Sequence, residues 1–96
     1  MPRIDAFEWD IGNSPKLEAH GVKASEAEEV LVNGYRLFPN PKPEEHSATH
    51  LMVGRTDGGR WLSIFILPTD VTGLWRPVTA HDSPKGHIPR ATGGKR

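Results

Sequence analysis

The segment that most constrains the fold is RWLSIFIL at residues 60–67, the most hydrophobic stretch of the chain. It is short and rich in β-branched and aromatic residues, and it follows Asp57–Gly59, whose residues tolerate the positive φ of a hairpin turn. A second turn sequence, PTDVTG, comes directly after it. Because tight turns join antiparallel neighbours, we predict a central strand here, with THLMVGRT (residues 49–56) before it and LWRPVTA (residues 74–80) after it.

Shorter segments complete the predicted sheet. IDAFEW at residues 4–9 alternates apolar and polar positions and predicts an opening strand, and YRLFP at residues 35–39 predicts another. Pro77 cannot donate a ladder hydrogen bond, so we expect the last strand at a sheet edge or with a bulge. The three prolines of PNPKPEE (residues 39–45) predict an extended surface loop, either a rigid connector or a polyproline II segment that engages a partner.

Two helices are predicted between the opening strand and the rest of the sheet. The first covers residues 14–20, with Ser14 as N-cap, a proline at the first helical position and Gly21 as the stop. The second begins at Ser25, which forms a capping box with Glu28, and ends at a glycine. Its apolar positions recur at the i, i+3, i+4 spacing of a helix that packs one face on a core.

The order of elements is therefore β-α-α-β-β-β-β, which predicts the α+β class. We expect a small antiparallel sheet of about four to five strands, with both N-terminal helices packed on one face. The 96 residues suit one small domain, which we place at residues 1–82. Residues 83–96 carry four basic and no acidic side chains, with two prolines and three glycines, and predict a flexible basic tail.

Composition excludes several classes of protein. The chain has no cysteine, which excludes disulfides, thiolate metal sites and a cysteine nucleophile. No stretch approaches the roughly 20 apolar residues of a membrane span and no secretion signal is visible, so we expect a cytoplasmic protein without a membrane partner. Twelve basic and twelve acidic residues give zero net charge, which argues against a uniformly basic nucleic-acid-binding protein but not against an enzyme with a locally cationic cleft.

His20 has both a structural and a catalytic interpretation. It lies where the first helix should end, directly before Gly21 and four residues after Lys16, so the His20 and Lys16 side chains share a helix face. Histidine changes charge near neutral pH, which suits general acid–base chemistry. Basic residues near a helix C-terminus also complement the helix dipole without any catalytic role, and this is the commoner situation.

Three arginines lie near the ends of predicted strands: Arg55, Arg60 and Arg76. If they converge, their guanidinium groups suit bidentate binding of a phosphate. The alternative is a solvated hairpin surface on which Arg60 pairs with Asp57. Arg76 is the strongest candidate for a phosphate ligand because apolar residues flank it in its strand.

Other histidines and aromatic residues carry weaker signals. His46 and His50 have the spacing of a helical metal-binding pair, but they lie in a loop that leads into a strand, where such residues are about 13 Å apart. We therefore expect no metal and no other cofactor. Trp9, Trp61 and Trp75 either stack on bases or pack in the core, and core packing is the expectation for Trp9 and Trp61.

Five short blocks, in this order, resemble the BrnT family of bacterial toxins: FEWD at residues 7–10, HGV at 20–22, EAEEVL at 26–31, GRTDGGRWL at 54–62 and RPVTA at 76–80. The resemblance covers roughly residues 7–82. It implies a RelE-like fold and an endoribonuclease of a type II toxin–antitoxin pair that cleaves single-stranded messenger RNA without a metal. It also implies a ribbon-helix-helix antitoxin similar to BrnA as partner, with DNA contacted only through that antitoxin.

The resemblance also favours a catalytic role for the candidate residues. His20 would transfer the proton with help from Lys16, and Arg76 and Arg55 would hold the phosphate. His81 stands where family members have an arginine, and it would act as a secondary acid or phosphate ligand. Residues 83–96 do not have the sequence of the basic C-terminal helix of the family. These departures and the zero net charge favour an alternative, a catalytically weakened module that binds an antitoxin or takes part in repression. A stand-alone RNA-binding domain is a third and weaker alternative, because only the tail is basic.

Overall fold

Two helices pack on one face of a five-stranded mixed sheet, which confirms the predicted α+β class. The computed structural model describes residues 2–83 of the chain. The elements follow one another in the predicted order, with these bounds: β1 Ala6–Phe7, α1 Ser14–Ala19, α2 Ala24–Asn33, β2 Tyr35–Pro39, β3 His50–Arg55, β4 Trp61–Pro68 and β5 Leu74–Asp82.

The strand order is β1-β5-β4-β3-β2, which puts β4 in the middle, as its hydrophobicity predicted. Strands β2 to β5 form an antiparallel meander. The prediction of a wholly antiparallel sheet is wrong for β1, which pairs in parallel with β5 through Ala6 and Phe7. The two helices carry the chain from β1 at one edge, across one face of the sheet, to β2 at the other edge. This crossover leaves β1 beside the last strand rather than beside its neighbour in sequence.

Pro77 lies at a bulge, one of the two positions predicted for it. Its strand β5 is not an edge strand, because it lies between β1 and β4. The register shifts between the pairs Phe65–Thr79 and Ile66–Pro77, so Val78 is the extra residue on β5. A bulge changes the direction of the side chains that follow it on the strand, and His81 is one of these residues.

Asn13, not the predicted Ser14, is the polar residue that anchors the start of α1. Only 1% of Asn13 is exposed. Its Oδ1 accepts a hydrogen bond from the Asp10 backbone N–H at 2.9 Å, and its Nδ2 donates to the carbonyls of Glu8 at 2.8 Å and Pro77 at 2.9 Å. A buried amide that is bonded at both ends fixes α1 against the segment after β1 and against β5.

Helix α2 begins before Ser25, and the predicted Ser25–Glu28 capping box is wrong. Glu26 Oε1 accepts a hydrogen bond of 3.0 Å from the backbone N–H of Lys23, the residue that precedes the helix. This bond is the main cause of the lowered pKa of the Glu26 carboxyl. Glu28 instead accepts a bond of 2.7 Å from the Trp9 indole Nε1.

The sheet separates a large core from a small one. The large core lies under the helices and contains the buried residues Leu17, Val22, Ala27, Val30, Met52, Leu62, Ile64 and Ile66. The opposite face, here called the open face, carries a smaller cluster of Ala48, Leu51, Val53 and Phe65, with Phe38, Trp61 and Val78 beside it. No helix within residues 2–83 covers the open face; the loop between β2 and β3, residues 40–49, reaches it through Ala48.

Strand β5 ends at Asp82, and the predicted basic tail lies outside the described residues from residue 84 onward. Neither of the helices found within residues 2–83 has the length and apolar character needed to cross a bilayer.

Candidate functional site

A cleft of about 250 Å³ opens where the end of α1, the β2–β3 loop and strands β4 and β5 meet. Its polar lining comes from residues far apart in the sequence: His20, Lys42, Glu45, His46, Ser63, Thr79 and His81. Its apolar lining includes Leu51 and Phe65 from the open-face cluster. The cleft therefore gathers three of the five histidines of the chain around an apolar floor.

His20 reaches the cleft because α1 ends there. Gly21 follows with a φ of +76°, a conformation that glycine adopts without strain and that stops the helix. The backbone N–H of His20 donates to the carbonyl of Leu17 at 3.0 Å, and Leu17 is fully buried. The buried leucine fixes the last helical turn, so the exposed imidazole of His20 is held at the edge of the cleft. The structural and the catalytic interpretations of His20 are thus compatible.

His81 lines the cleft from β5, directly opposite Ser63 on β4. Its ring Nδ1 lies 3.0 Å from the backbone carbonyl oxygen of Asp82. Because a carbonyl oxygen can only accept, Nδ1 carries the proton and donates it to this bond. The basic nitrogen of the neutral ring is therefore Nε2, which is the arrangement that a general base requires.

The β2–β3 loop supplies cleft residues that the sequence analysis did not place in a catalytic site: Lys42, Glu45 and His46, the last considered there only as a metal ligand. Asn40 holds the base of this loop, because its Nδ2 donates to the Ala48 carbonyl and its Oδ1 accepts from the Lys42 backbone N–H, both at 2.8 Å. The His46 ring packs edge-on against Phe65, with 4.4 Å between the ring centroids. The triple-proline pattern indicated a loop, but no local signal shows that this loop brings Lys42 and His46 to His20.

Arg76, the predicted phosphate ligand, does not line the cleft. Its Nη1 and Nη2 bind the two carboxylate oxygens of Asp10 at 2.8 and 2.9 Å, and Nη1 also donates to Glu8 at 3.1 Å. These bonds lower the pKa of Asp10 to about 2 and raise the pKa of Arg76. Along β5, roughly 15 Å of extended strand separate Arg76 from His81. The expected approach of this guanidinium to His20 is therefore not observed.

Arg55 and Lys16 also lie outside the cleft lining. Arg55 is exposed on the open face, with its guanidinium carbon 5.8 Å from the centre of the Trp61 ring. It lines a separate cavity of about 230 Å³ beside β2. Lys16 is exposed on α1, one helical turn before His20. The described residues therefore bring together His20 and His81 from the predicted set, but not the other three.

Arg60 has a structural role that differs from both interpretations of the sequence. Its Nη1 donates to the carbonyl of Gly21 at 2.9 Å and to Glu26 at 3.0 Å, and its Nε pairs with Asp82. These bonds raise the pKa of Arg60, mainly through Asp82. The predicted pair with Asp57 is absent from these contacts. Arg60 instead joins the end of α1, the first turn of α2 and the end of β5.

Of the remaining candidates, His46 lines the cleft, and His50 and the three tryptophans pack against aromatic or core residues. His46 and His50 diverge, because His50 packs against Trp75 with 5.2 Å between the ring centroids, away from Phe65. Only 6% of Trp75 is exposed, so it packs in the large core, and Trp9 and Trp61 pack at the margins of the two cores, as expected. Within residues 2–83, no three His, Asp or Glu side chains are grouped closely enough to hold a metal ion.

No known protein family, curated protein or solved structure matches this chain in comparisons with each. The BrnT resemblance accordingly stays a prediction, and the chemistry of the cleft is the basis for a functional proposal.

Proposed function

We propose that this chain is a BrnT-like ribonuclease toxin that cleaves single-stranded RNA without a metal ion. The observation that carries the proposal is that His20 and His81, from distant parts of the chain, line one cleft. Cleavage next to a ribose needs a base for the 2′-hydroxyl and an acid for the departing 5′-oxygen, both within reach of one phosphate. Two imidazoles supply both functions near neutral pH.

The proposed reaction is a transesterification at phosphorus. His81 Nε2 takes the proton of the ribose 2′-hydroxyl, the 2′-oxygen forms a bond to phosphorus, and the bond from phosphorus to the 5′-oxygen breaks. His20, as the imidazolium, donates its proton to the departing 5′-oxygen. The products are a 2′,3′-cyclic phosphate and a 5′-hydroxyl, and the two histidines have exchanged protonation states. In-line attack requires a rotated backbone, which single-stranded RNA adopts readily.

Lys42 takes the role that the sequence analysis gave to arginine. Among the described residues that line the cleft, it is the one lysine or arginine. Negative charge grows on the nonbridging oxygens as phosphorus becomes pentavalent, and a positioned cation stabilises that charge. Arg76 and Arg55 are held elsewhere, so they do not compete for this role. Lys16 lies one helical turn before His20 on α1 and would add positive potential at that end of the cleft.

The BrnT resemblance supplies the rest of the proposal. The partner is a ribbon-helix-helix antitoxin similar to BrnA, and DNA is contacted only through it. The site of action is the cytoplasm, where messenger RNA is translated. The apolar open face beside the cleft supports a protein partner, because such a partner would cover Phe38 and Trp61 and block access to His81.

The direct test is cleavage of a synthetic single-stranded RNA by the purified full-length chain in the presence of EDTA. We expect products with 2′,3′-cyclic phosphate ends. His20→Ala and His81→Ala should each slow cleavage by about 10²–10⁴-fold, the usual contribution of a general acid or base. His50→Ala is the matched control, because His50 does not line the cleft. Equal rates for the wild type and both cleft variants would remove the two histidines from the mechanism.

A second candidate function is a catalytically weakened module that binds an antitoxin or takes part in transcriptional repression. The observation that favours it is the neutralisation of Arg76 by Glu8 and Asp10, which leaves the cleft without this guanidinium. Expression of the chain in bacteria without a partner separates the two candidates. Growth arrest that His20→Ala relieves supports the nuclease. Normal growth with abundant folded protein, together with tight binding to a ribbon-helix-helix protein from the adjacent reading frame, supports the module.

A further inference from the structure

Two buried polar atoms in the cleft have no hydrogen-bond partner within residues 2–83: Ser63 Oγ and His46 Nδ1. Ser63 is almost fully buried, with 1% of its surface exposed. Buried polar atoms are nearly always hydrogen-bonded, because burial removes the water that would otherwise solvate them. Of the three such atoms within residues 2–83, two belong to residues that line this cleft, and the third is Ser83 Oγ after β5. The pair in the cleft is the observation from which a ligand with hydrogen-bonding atoms is inferred.

Strand β4 holds Ser63, and a contact with Phe65 holds the loop residue His46. Ser63 lies on the central strand β4, where it pairs with His81 across to β5. Phe65, two residues further on the same face, packs against the rings of both His46 and His81, at centroid distances of 4.4 and 5.7 Å. The Phe65 ring therefore fixes the two imidazoles, and the Ser63 hydroxyl lies beside them on a strand that has little freedom to move.

The charges and donors around these two atoms favour an anionic ligand. Ser63 donates through its hydroxyl, His46 donates from Nδ1 in one tautomer and in its charged form, and Lys42 is a permanent cation nearby. Glu45 is the one carboxylate among the described lining residues. A phosphate group offers several strong acceptor oxygens and full negative charge, and charged hydrogen bonds to such oxygens are about twice as strong as neutral ones.

We propose that Ser63 Oγ and His46 Nδ1 bind a nonbridging phosphate oxygen of a nucleic-acid strand and so position the phosphodiester between His20 and His81. The inference rests on the proposed function for the identity of the strand as RNA; phosphate binding itself does not depend on cleavage. Ser63 and His46 are positioning residues here, since neither transfers a proton in the reaction. Their role accounts for the two unpartnered atoms and supplies the phosphate contacts that Arg76 does not make.

The test measures binding apart from catalysis. The probes are inorganic phosphate and a thymidine tetranucleotide, which lacks 2′-hydroxyls and cannot be cleaved. Titrations by calorimetry use the full-length wild type, Ser63→Ala, His46→Phe and His46→Asn, with His50→Phe as the control outside the cleft. We expect Ser63→Ala and His46→Phe each to weaken tetranucleotide binding by about tenfold or more, the effect of losing a hydrogen bond to a charged group. His46→Asn should retain part of the affinity, because its amide places a nitrogen close to the former Nδ1.

The melting temperature of Ser63→Ala distinguishes a binding role of the hydroxyl from a structural role. If the Ser63 hydroxyl is unpaired in the free protein, Ser63→Ala should leave the melting temperature unchanged or raise it, while binding falls. A lower melting temperature for Ser63→Ala would show that the hydroxyl already has a partner, and this would overturn the proposal. Equal tetranucleotide affinities for the wild type, Ser63→Ala and His46→Phe would overturn it as well.

The remaining outcomes separate this inference from the proposed function. Loss of tetranucleotide binding in both variants, with no RNA cleavage by the wild type, supports the phosphate site and contradicts the nuclease. RNA cleavage by Ser63→Ala and His46→Phe at the wild-type kcat/KM contradicts the phosphate site and leaves the nuclease intact. Binding of inorganic phosphate without any binding of the tetranucleotide would identify a simple anion site and overturn the assignment to a nucleic-acid strand.

Discussion

The Arg76 guanidinium donates two parallel hydrogen bonds to the Asp10 carboxylate, Nη1 to Oδ2 at 2.8 Å and Nη2 to Oδ1 at 2.9 Å. The pair joins the middle of β5 to the turn that precedes α1. Glu8 adds a third bond to the same guanidinium, so Arg76 faces two carboxylates. This relationship makes the expected phosphate ligand a structural link between β5 and the segment before α1.

Replacement of Arg76 by glutamine should lower stability without a direct effect on the chemistry. Arg76→Gln leaves the Glu8 and Asp10 carboxylates close together without a cation, so we expect a lower melting temperature by circular dichroism. The cleavage rate per folded molecule should be unchanged at temperatures well below melting. A large loss of kcat with unchanged KM and unchanged stability would instead return Arg76 to the catalytic role predicted from the sequence.

The Asp10 carboxylate predicts a loss of stability in acid. Its pKa falls from the usual 3.8 to about 2 in the folded chain, chiefly through the Arg76 hydrogen bonds. A lowered pKa means that the ionised form is favoured in the folded state, so this stabilisation is complete above the unfolded pKa and is lost as the pH falls through about 2. The free energy of unfolding of Asp10→Asn should therefore differ most from the wild type near neutral pH and converge with it near the folded pKa. Urea denaturation of the wild type and Asp10→Asn across this pH range gives the comparison, and a difference that does not change with pH would contradict the Asp10–Arg76 pairing.

The sheet was predictable because its signals are local. Continuous hydrophobicity and flanking turn residues around 60–67 specify the central strand, and Pro77 carries its own restriction on hydrogen bonding, which the bulge satisfies. The parallel pairing of β1 was not predictable in the same way. This pairing depends on how the two helices position β1 relative to β5. A pairing of only two residues leaves almost no pattern in the sequence.

The cleft was predictable only in part, for a related reason. His20 stood out because it lies at a helix stop that is visible in the sequence, and His81 because it stands where the BrnT family has an arginine. The place of Lys42 and His46 in the cleft was not visible, since long-range contacts such as His46 on Phe65 position the loop. The ion pair of Arg76 was hidden for the same reason: its partner Asp10 is 66 residues away, and no local pattern couples the two.

Arg60 and Arg55 flank the same turn but should respond very differently to substitution. Arg60→Gln removes the bonds to Gly21, Glu26 and Asp82, and we expect a loss of about 1–3 kcal/mol in the free energy of unfolding. Arg55→Gln removes an exposed contact with Trp61 and should cost less than about 1 kcal/mol. Urea denaturation of both variants gives the comparison. Equal losses in the free energy of unfolding would contradict the structural role of Arg60.

Gly54 should not tolerate a side chain, because α2 crosses β3 there. A Cβ at Gly54 would lie 2.7 Å from Val30 Cγ1 and 2.9 Å from the Gly34 carbonyl oxygen. Gly54→Ala should therefore destabilise the fold by about 1–3 kcal/mol, the usual cost of overpacking. Gly58→Ala is the matched control, since its Cβ would meet only Thr56 Oγ1 at 3.9 Å. Denaturation midpoints that are equal for the two variants would contradict this packing.

The acid and base roles of the two histidines predict different pH profiles. In the wild type, kcat/KM should follow a bell, because His81 must be neutral and His20 must be charged at the same time. His81→Ala should lose the acidic limb and His20→Ala the alkaline limb. An RNA with a 5′-sulfur leaving group adds a sharper readout, because a thiolate departs without protonation. This substrate should restore fast cleavage to His20→Ala and not to His81→Ala; restoration in His81→Ala alone would exchange the two roles.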